Sequence, residues 1–176
     1  MTRPDHLPAH VPWFPCEPVG DDHAERAPVV FPHTVELGCS AEELFAVFED
    51  PESWPRWAPG IGKVEWTSPT PYGPGTTRTV TFWGGTQVFE VFHTFDPPHR
   101  MGFHFVGTTE EIWRSFSERY EVESTGPDSC RLTWTVAYEP IGRFGFLHPV
   151  LKPLMRFALG SYMTKLRAYV KAHTAG

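Results

Sequence analysis

Phe144-Gly-Phe-Leu-His-Pro149 opens a stretch that runs on to His173, and its reading decides the fold. Leu147, Leu151, Leu154, Met155, Ala158, Tyr162, Leu166 and Tyr169 recur at the three-and-four spacing of one face of a long helix. Pro149 and Pro153 fall near its start, where a missing amide costs least. An apolar face of that length needs a cover. What precedes it reads mostly as short strands, so the expected partner is a sheet whose concave side receives the helix.

Working outward, Arg131 to Tyr138 and Trp113 to Val122 are strand-sized runs joined by Ser124-Thr-Gly-Pro-Asp-Ser129, a turn composition. Asp96-Pro-Pro98 leads into Met101 to Val106. Thr77 to Trp83 and Thr86 to Phe95 flank Gly84-Gly85, which predicts a hairpin with a two-residue turn. Gly62 to Thr67 is a further strand, with Pro69-Thr-Pro-Tyr-Gly-Pro-Gly75 as its exit loop. Val29 to Leu37 alternates as a first strand. Ser40-Ala-Glu-Glu43 after it is a capping box that starts a helix carrying Leu44, Phe45, Val47 and Phe48. Asp50-Pro51 then caps a second short helical turn into Trp54-Pro-Arg-Trp57.

A chain of 176 residues that is 40% apolar, with 14 Phe, 7 Trp and 5 Tyr, has ample material for a core without metals or disulfides. Cys16, Cys39 and Cys130 are odd in number and far apart, which points to a reducing compartment rather than a disulfide framework. Neither a leader pattern nor a run long enough to span a membrane is present, so a cytoplasmic location is expected. The net charge of −6 argues against nucleic acid as a partner. That charge is uneven. From Arg143 onward there are six basic residues and no Asp or Glu, against nine basic and 21 acidic before it. A solvated outer helix face is the simpler reading, and contact with an anionic membrane surface the sharper one. Residues 1–26 carry Pro4, Pro8, Pro12, Pro15 and Pro18 and read as a Pro-rich arm, within which Trp13 and Phe14 are the residues able to dock; 27–176 reads as one domain.

Strand, two short helices, six strands in meander order and a long helix is the order of the helix-grip fold. The chain resembles the SRPBCC superfamily, which holds START domains, birch-pollen-allergen-like proteins and bacterial polyketide cyclase/dehydrase-like proteins. The resemblance rests on residues 33–50, the Trp54/Trp57 pair, Phe92-His-Thr-Phe-Asp-Pro-Pro-His-Arg100, Ser117-Glu-Arg-Tyr-Glu121 and Cys130-Arg-Leu-Thr-Trp-Thr-Val136, and covers about residues 29–173. It implies an α+β class: a curved antiparallel seven-stranded sheet wrapped around the C-terminal helix, with a cavity between them.

Period-two alternation assigns the faces that would line such a cavity. Leu132, Trp134, Val136 and Tyr138 share one face, as do Phe116, Glu118, Tyr120 and Val122, and Met101, Phe103 and Phe105. Phe89, Val91 and Phe95 read as inner and bring His93 with them; Val80 and Phe82 bring Arg78, and the first strand adds His33. From the helix, Leu151, Met155, Leu159, Tyr162 and Leu166 complete the expected lining. Burying Arg78 and Glu118 is costly unless they pair with each other, find backbone partners or are wetted by a cavity. Two readings stand. In one these residues are structural; in the other Arg78, His93, Glu118 and Tyr162 orient or activate a ligand. For the polyketide cyclase branch the resemblance implies that Arg78 and Tyr162 bind and polarise a poly-ketone. The leading functional reading is a binder of a small hydrophobic or lipid-like molecule. A cofactor-independent cyclase/dehydratase is the alternative, and a docking protein that uses the arm and the basic helix is a third.

No other chemistry is signalled. The nine histidines show no H-E-x-x-H and no pairing with cysteines, and His6 and His10 sit in the arm, so neither a metal nor a cofactor is expected. There is no phosphate loop and no nucleophile elbow around Ser115 or Ser117. Trp54 and Trp57 read as packing between the short helices and the sheet, or as lining of a cavity mouth. The expected assembly is a monomer or a homodimer.

Overall fold

The computed structural model describes residues 3–4 and 7–173, so His6 lies outside the described residues. Its elements are β1 (Phe14–Pro15), α1 (His23–Arg26), β2 (Val29–Leu37), α2 (Ala41–Glu49), α3 (Trp54–Trp57) and β3 (Ile61–Trp66). They continue with β4 (Thr77–Phe82), β5 (Gln87–Asp96), β6 (Arg100–Thr108), β7 (Trp113–Gly126), β8 (Ser129–Pro140) and α4 (Gly142–His173). Seven strands form one antiparallel sheet in the order β2-β8-β7-β6-β5-β4-β3. This is the helix-grip arrangement expected from the sequence. Consecutive strands from β3 to β8 are neighbours, and β2 closes the far edge by pairing with β8.

Local chemistry fixes the helices between β2 and β3. Ser40 Oγ accepts from the Glu43 amide at 3.1 Å and a Glu43 carboxylate oxygen accepts from the Ser40 amide at 2.8 Å, so the capping box closes both ways. The cap aims Leu44, Phe45 and Phe48 into the core, where each is buried. α3 follows with the Trp54 and Trp57 rings packed at 4.8 Å with a 40° tilt between them, and Trp54 Nε1 donates to the Phe48 carbonyl at 2.9 Å.

The β4–β5 connection differs from the expected two-residue turn. The Phe82 amide donates to the Thr86 carbonyl at 2.8 Å, so Trp83, Gly84 and Gly85 form a three-residue loop, with φ +93° at Gly84 and +92° at Gly85. The extra residue slips the register by one: Arg78 faces Glu90, not Val91. A bulge between Phe92 and Thr94 then restores the opposite parity, so that Phe95 points inward again.

α4 also departs from expectation. It begins at Gly142, so Pro149 and Pro153 lie inside the helix beyond its first turn and remove the amides that would bond Gly145 and Pro149. Its second half is anchored by buried Met163, Leu166 and Val170. In the first half Leu147 and Leu154 are exposed, whereas Phe144, Met155, Leu159 and Tyr162 pack against the core. The helix is apolar on two opposite faces, and the three-and-four spacing alone merged them.

The Pro-rich segment runs along the outside of the sheet. β6 pairs with β7 from Arg100 to His104, and beyond that level β1 pairs with β6. The Cys16 amide donates to Val106 at 3.1 Å and the Glu17 amide to Arg114 at 2.7 Å, so this segment bridges the gap where β6 and β7 diverge. Trp13 lies 5.2 Å from the Phe89 ring and directly over Gly107, where any Cβ would overlap its indole. Leu7, Phe89 and Val106 form a small second core beneath it.

Candidate functional site

Between the concave face of the sheet and α4 lies a cavity of about 300 Å³. Its wall is built mostly from aromatic and aliphatic side chains, among them Trp54, Trp57, Phe103, Phe105, Phe116 and Trp134. α4 contributes Met155, Leu159 and Tyr162. Of the residues singled out from the sequence, Arg78, Phe82, Phe103, Phe105, Phe116, Glu118, Trp134, Met155, Leu159 and Tyr162 all stand on this wall.

Five others do not. Val91 packs with the outer cluster of Leu7, Phe89 and Val106. His93 is on that same convex face, 2.9 Å from Asp21 and stacked on His104. The register slip and the bulge explain both: inward-facing residues on β5 are Val88, Glu90 and Phe92. His33 packs at a tilt against Trp134, 5.7 Å between ring centres, near Gly160 and outside the cavity. Leu166 is wholly buried in the core without lining the cavity, and Leu151 is half-buried without reaching the wall.

The polar part of the wall is a band across the sheet. Arg78 Nε donates to Glu90 Oε2 at 2.6 Å, both side chains being buried. The expected alternative of an Arg78–Glu118 pair is thereby corrected: Glu90 is the partner, and the register that would have shown it depends on the three-residue loop. The Arg78 guanidinium sits among Trp54, Phe103, Phe92 and Trp66, with its carbon 4.5 Å from the Trp54 ring centre and 4.9 Å from that of Phe103. These ring faces stabilise a cation that has little water. Arg78 Nη1 is buried without a hydrogen-bond partner among the described residues. Burial pushes the Glu90 pKa up, against the opposing pull of Arg78.

Glu118 behaves differently. Its Oε2 accepts from Tyr120 Oη at 2.5 Å and from Trp134 Nε1 at 2.8 Å. It is half-buried, and as it lies on the wall its free surface belongs to the cavity. Burial raises its pKa to about 7 against the hydrogen bond from Tyr120, and the Glu90 carboxylate adds to the rise. Near neutral pH Glu118 therefore exists in both forms. It can accept from a hydroxyl or donate to a carbonyl. Two further tyrosines stand on the wall. Tyr162 Oη donates to the Pro59 carbonyl, tying α4 to the loop after α3, and burial pushes its pKa up to about 12. Tyr138 Oη lies 2.8 Å from Nε2 of His148, which is buried behind the wall on the same face of α4 as Met155 and Leu159, a contact that sequence reasoning missed.

Also missed were Glu90 and Val88, hidden by the register, and Ile112, Trp113 and Thr86, which come from loops or strand ends where alternation gives no signal.

Residues 28–173 match the model of the family described as polyketide cyclase / dehydrase and lipid transport. The chain belongs to that family. An uncharacterised protein of Mycobacterium tuberculosis is 43% identical over 162 residues, covering 92% of this chain and 96% of the relative. Among solved structures, a START superfamily protein from Mycobacterium smegmatis superposes with a TM-score of 0.68 at 18% identity, over 81% of this chain and 97% of that one. The ZhuI aromatase/cyclase from Streptomyces sp. R1128 gives a TM-score of 0.69 at 12% identity, over 84% and 96%. At these identities the structural neighbours establish a shared fold, and the family's description spans both ligand binding and cyclase-like chemistry.

Proposed function

We propose that the protein encloses a small, mainly apolar molecule carrying a hydroxyl or carbonyl group, with that group placed against Glu118 and the Arg78–Glu90 pair. The observation that carries this reading is the composition of the cavity wall. An aromatic chamber of about 300 Å³ is crossed by one polar band, and Glu118 is the member of that band with free cavity surface. Sites of this kind gain affinity from apolar burial and orientation from a few polar groups. The wholly buried Arg78–Glu90 pair holds the band in place, while Glu118 meets the ligand.

A second reading is favoured by one specific feature, the pKa of Glu118 near 7, which suits a proton acceptor or donor at neutral pH. In a cyclase/dehydratase acting in this cavity Glu118 would take or return a proton, and Arg78 would supply positive potential toward a developing enolate oxygen. His93 has no part in it, because it lies on the convex face.

Native mass spectrometry tests the first reading. The protein is incubated with paired compounds, naphthalene and naphthol, dodecane and dodecanol. Retention of one molecule per chain, stronger for the hydroxylated member of each pair, supports it. Retention of none, or retention that survives filling the chamber with Val136→Trp, contradicts it. Turnover of a poly-ketone mimic that Glu118→Gln abolishes would favour the second reading.

A further inference from the structure

The first half of α4 carries an outward apolar stripe that none of the described residues covers. Phe146, Val150, Leu154 and Phe157 are 86, 81, 64 and 77% exposed. Their spacing of four, four and three places them within a narrow arc, on the side of the helix opposite Met155, Leu159 and Tyr162. Pro149 and Pro153 are exposed beside them. From Phe146 to Phe157 the stripe is about 17 Å long, at 1.5 Å per residue. Contiguous exposed apolar surface of this kind marks an interaction site.

Charge selects the occupant. Arg143, Lys152 and Arg156 are exposed on the same segment, and α4 contains no Asp or Glu, whereas the rest of the chain is acidic. A two-fold contact between copies of this chain would set one such helix against another and bring like charges together. An anionic bilayer surface complements both features: phosphates meet the basic side chains while the aromatic and aliphatic side chains enter the headgroup boundary.

We propose that the first half of α4 is a membrane-docking element that lies in the plane of an anionic lipid surface. Among the described residues no helix is long and apolar enough to cross a membrane, so the contact is peripheral. The same turns that dock also present Met155 and Leu159 to the cavity, so the docked protein holds one wall of its chamber at the lipid surface. The docking itself does not depend on what the cavity holds.

The full chain is tested by co-sedimentation with vesicles of pure phosphatidylcholine and of roughly equal phosphatidylcholine and phosphatidylglycerol. Two variants accompany it, Phe146→Ser/Phe157→Ser and Lys152→Glu/Arg156→Glu, each checked for native circular dichroism. All four positions are exposed, so the fold is retained. Binding to the anionic vesicles at least tenfold tighter than to neutral ones, weakened by salt and reduced at least tenfold in either variant, supports the proposal. No binding to the anionic vesicles overturns it, as does binding that both variants leave unchanged. A concentration-dependent dimer that the serine variant abolishes, without vesicle binding, also overturns it and assigns the stripe to a second copy.

Discussion

Arg78 Nε lies 2.6 Å from Glu90 Oε2 inside the concave face of the sheet, and neither side chain has contact with bulk solvent. Removing one member of such a pair leaves the other charge buried, at a cost of roughly 3–5 kcal/mol, whereas replacing both by apolar residues costs far less. Glu90→Leu is therefore expected to lower the urea midpoint markedly, and Arg78→Met/Glu90→Leu to recover much of the loss. If the double variant is less stable than the single one, the pair is stabilising in its own right and this account of it is wrong.

Glu118 carries a pH signature of definite sign. Its folded pKa of about 7 lies above the ordinary carboxylate value, so the native state binds a proton more tightly than the unfolded chain. The associated stability is fully present below about pH 4.5 and is lost as pH rises through about 7. Histidines with lowered pKa, such as His104 at about 4, act in the opposite sense, losing stability as pH falls below their unfolded value. Comparison with Glu118→Gln isolates the carboxyl. Across this window the wild type should lose on the order of 2–3 kcal/mol relative to the variant as pH rises, read from urea unfolding at a series of pH values. Parallel curves for the two proteins would contradict the shift.

The contact of Trp13 with Gly107 holds the N-terminal segment to the sheet, and Gly107 has no room for a larger residue. Gly107→Val should displace the indole and uncover Leu7 and Phe89, at a cost of about 2–3 kcal/mol from lost apolar burial. Limited proteolysis, with fragments identified by mass, should then cut within residues 7–17 of the variant well before it cuts the wild type. Equal rates in both proteins would show that the backbone bonds of Cys16 and Glu17 suffice to hold the segment.

The fold was legible because its punctuation is local. Ser40 and Glu43 announce α2, the glycines at 84 and 85 announce a hairpin, and alternation on β7 and β8 places Phe116, Glu118, Trp134 and Val136 correctly. The site was legible only where strands keep strict period. On β5 the three-residue loop and the bulge at His93 each shift parity by one, so counting back from Phe95 put Val91 and His93 inside and left Glu90 outside. The composition of β5 disguised the error, because Leu7 and Trp13 cover Phe89 on the convex face and make both faces apolar. On α4 the same ambiguity arises from two apolar faces, one toward the cavity and one outward.

The most direct test of a chamber that reads a single polar group is calorimetric titration of naphthol and of naphthalene into the wild type and Glu118→Leu. The wild type should bind naphthol at one site, about tenfold more tightly than naphthalene, as one hydrogen bond to a largely desolvated carboxyl provides. The variant should bind both equally. Saturable binding of neither compound, or a preference for naphthol that survives the loss of Glu118, would contradict the account.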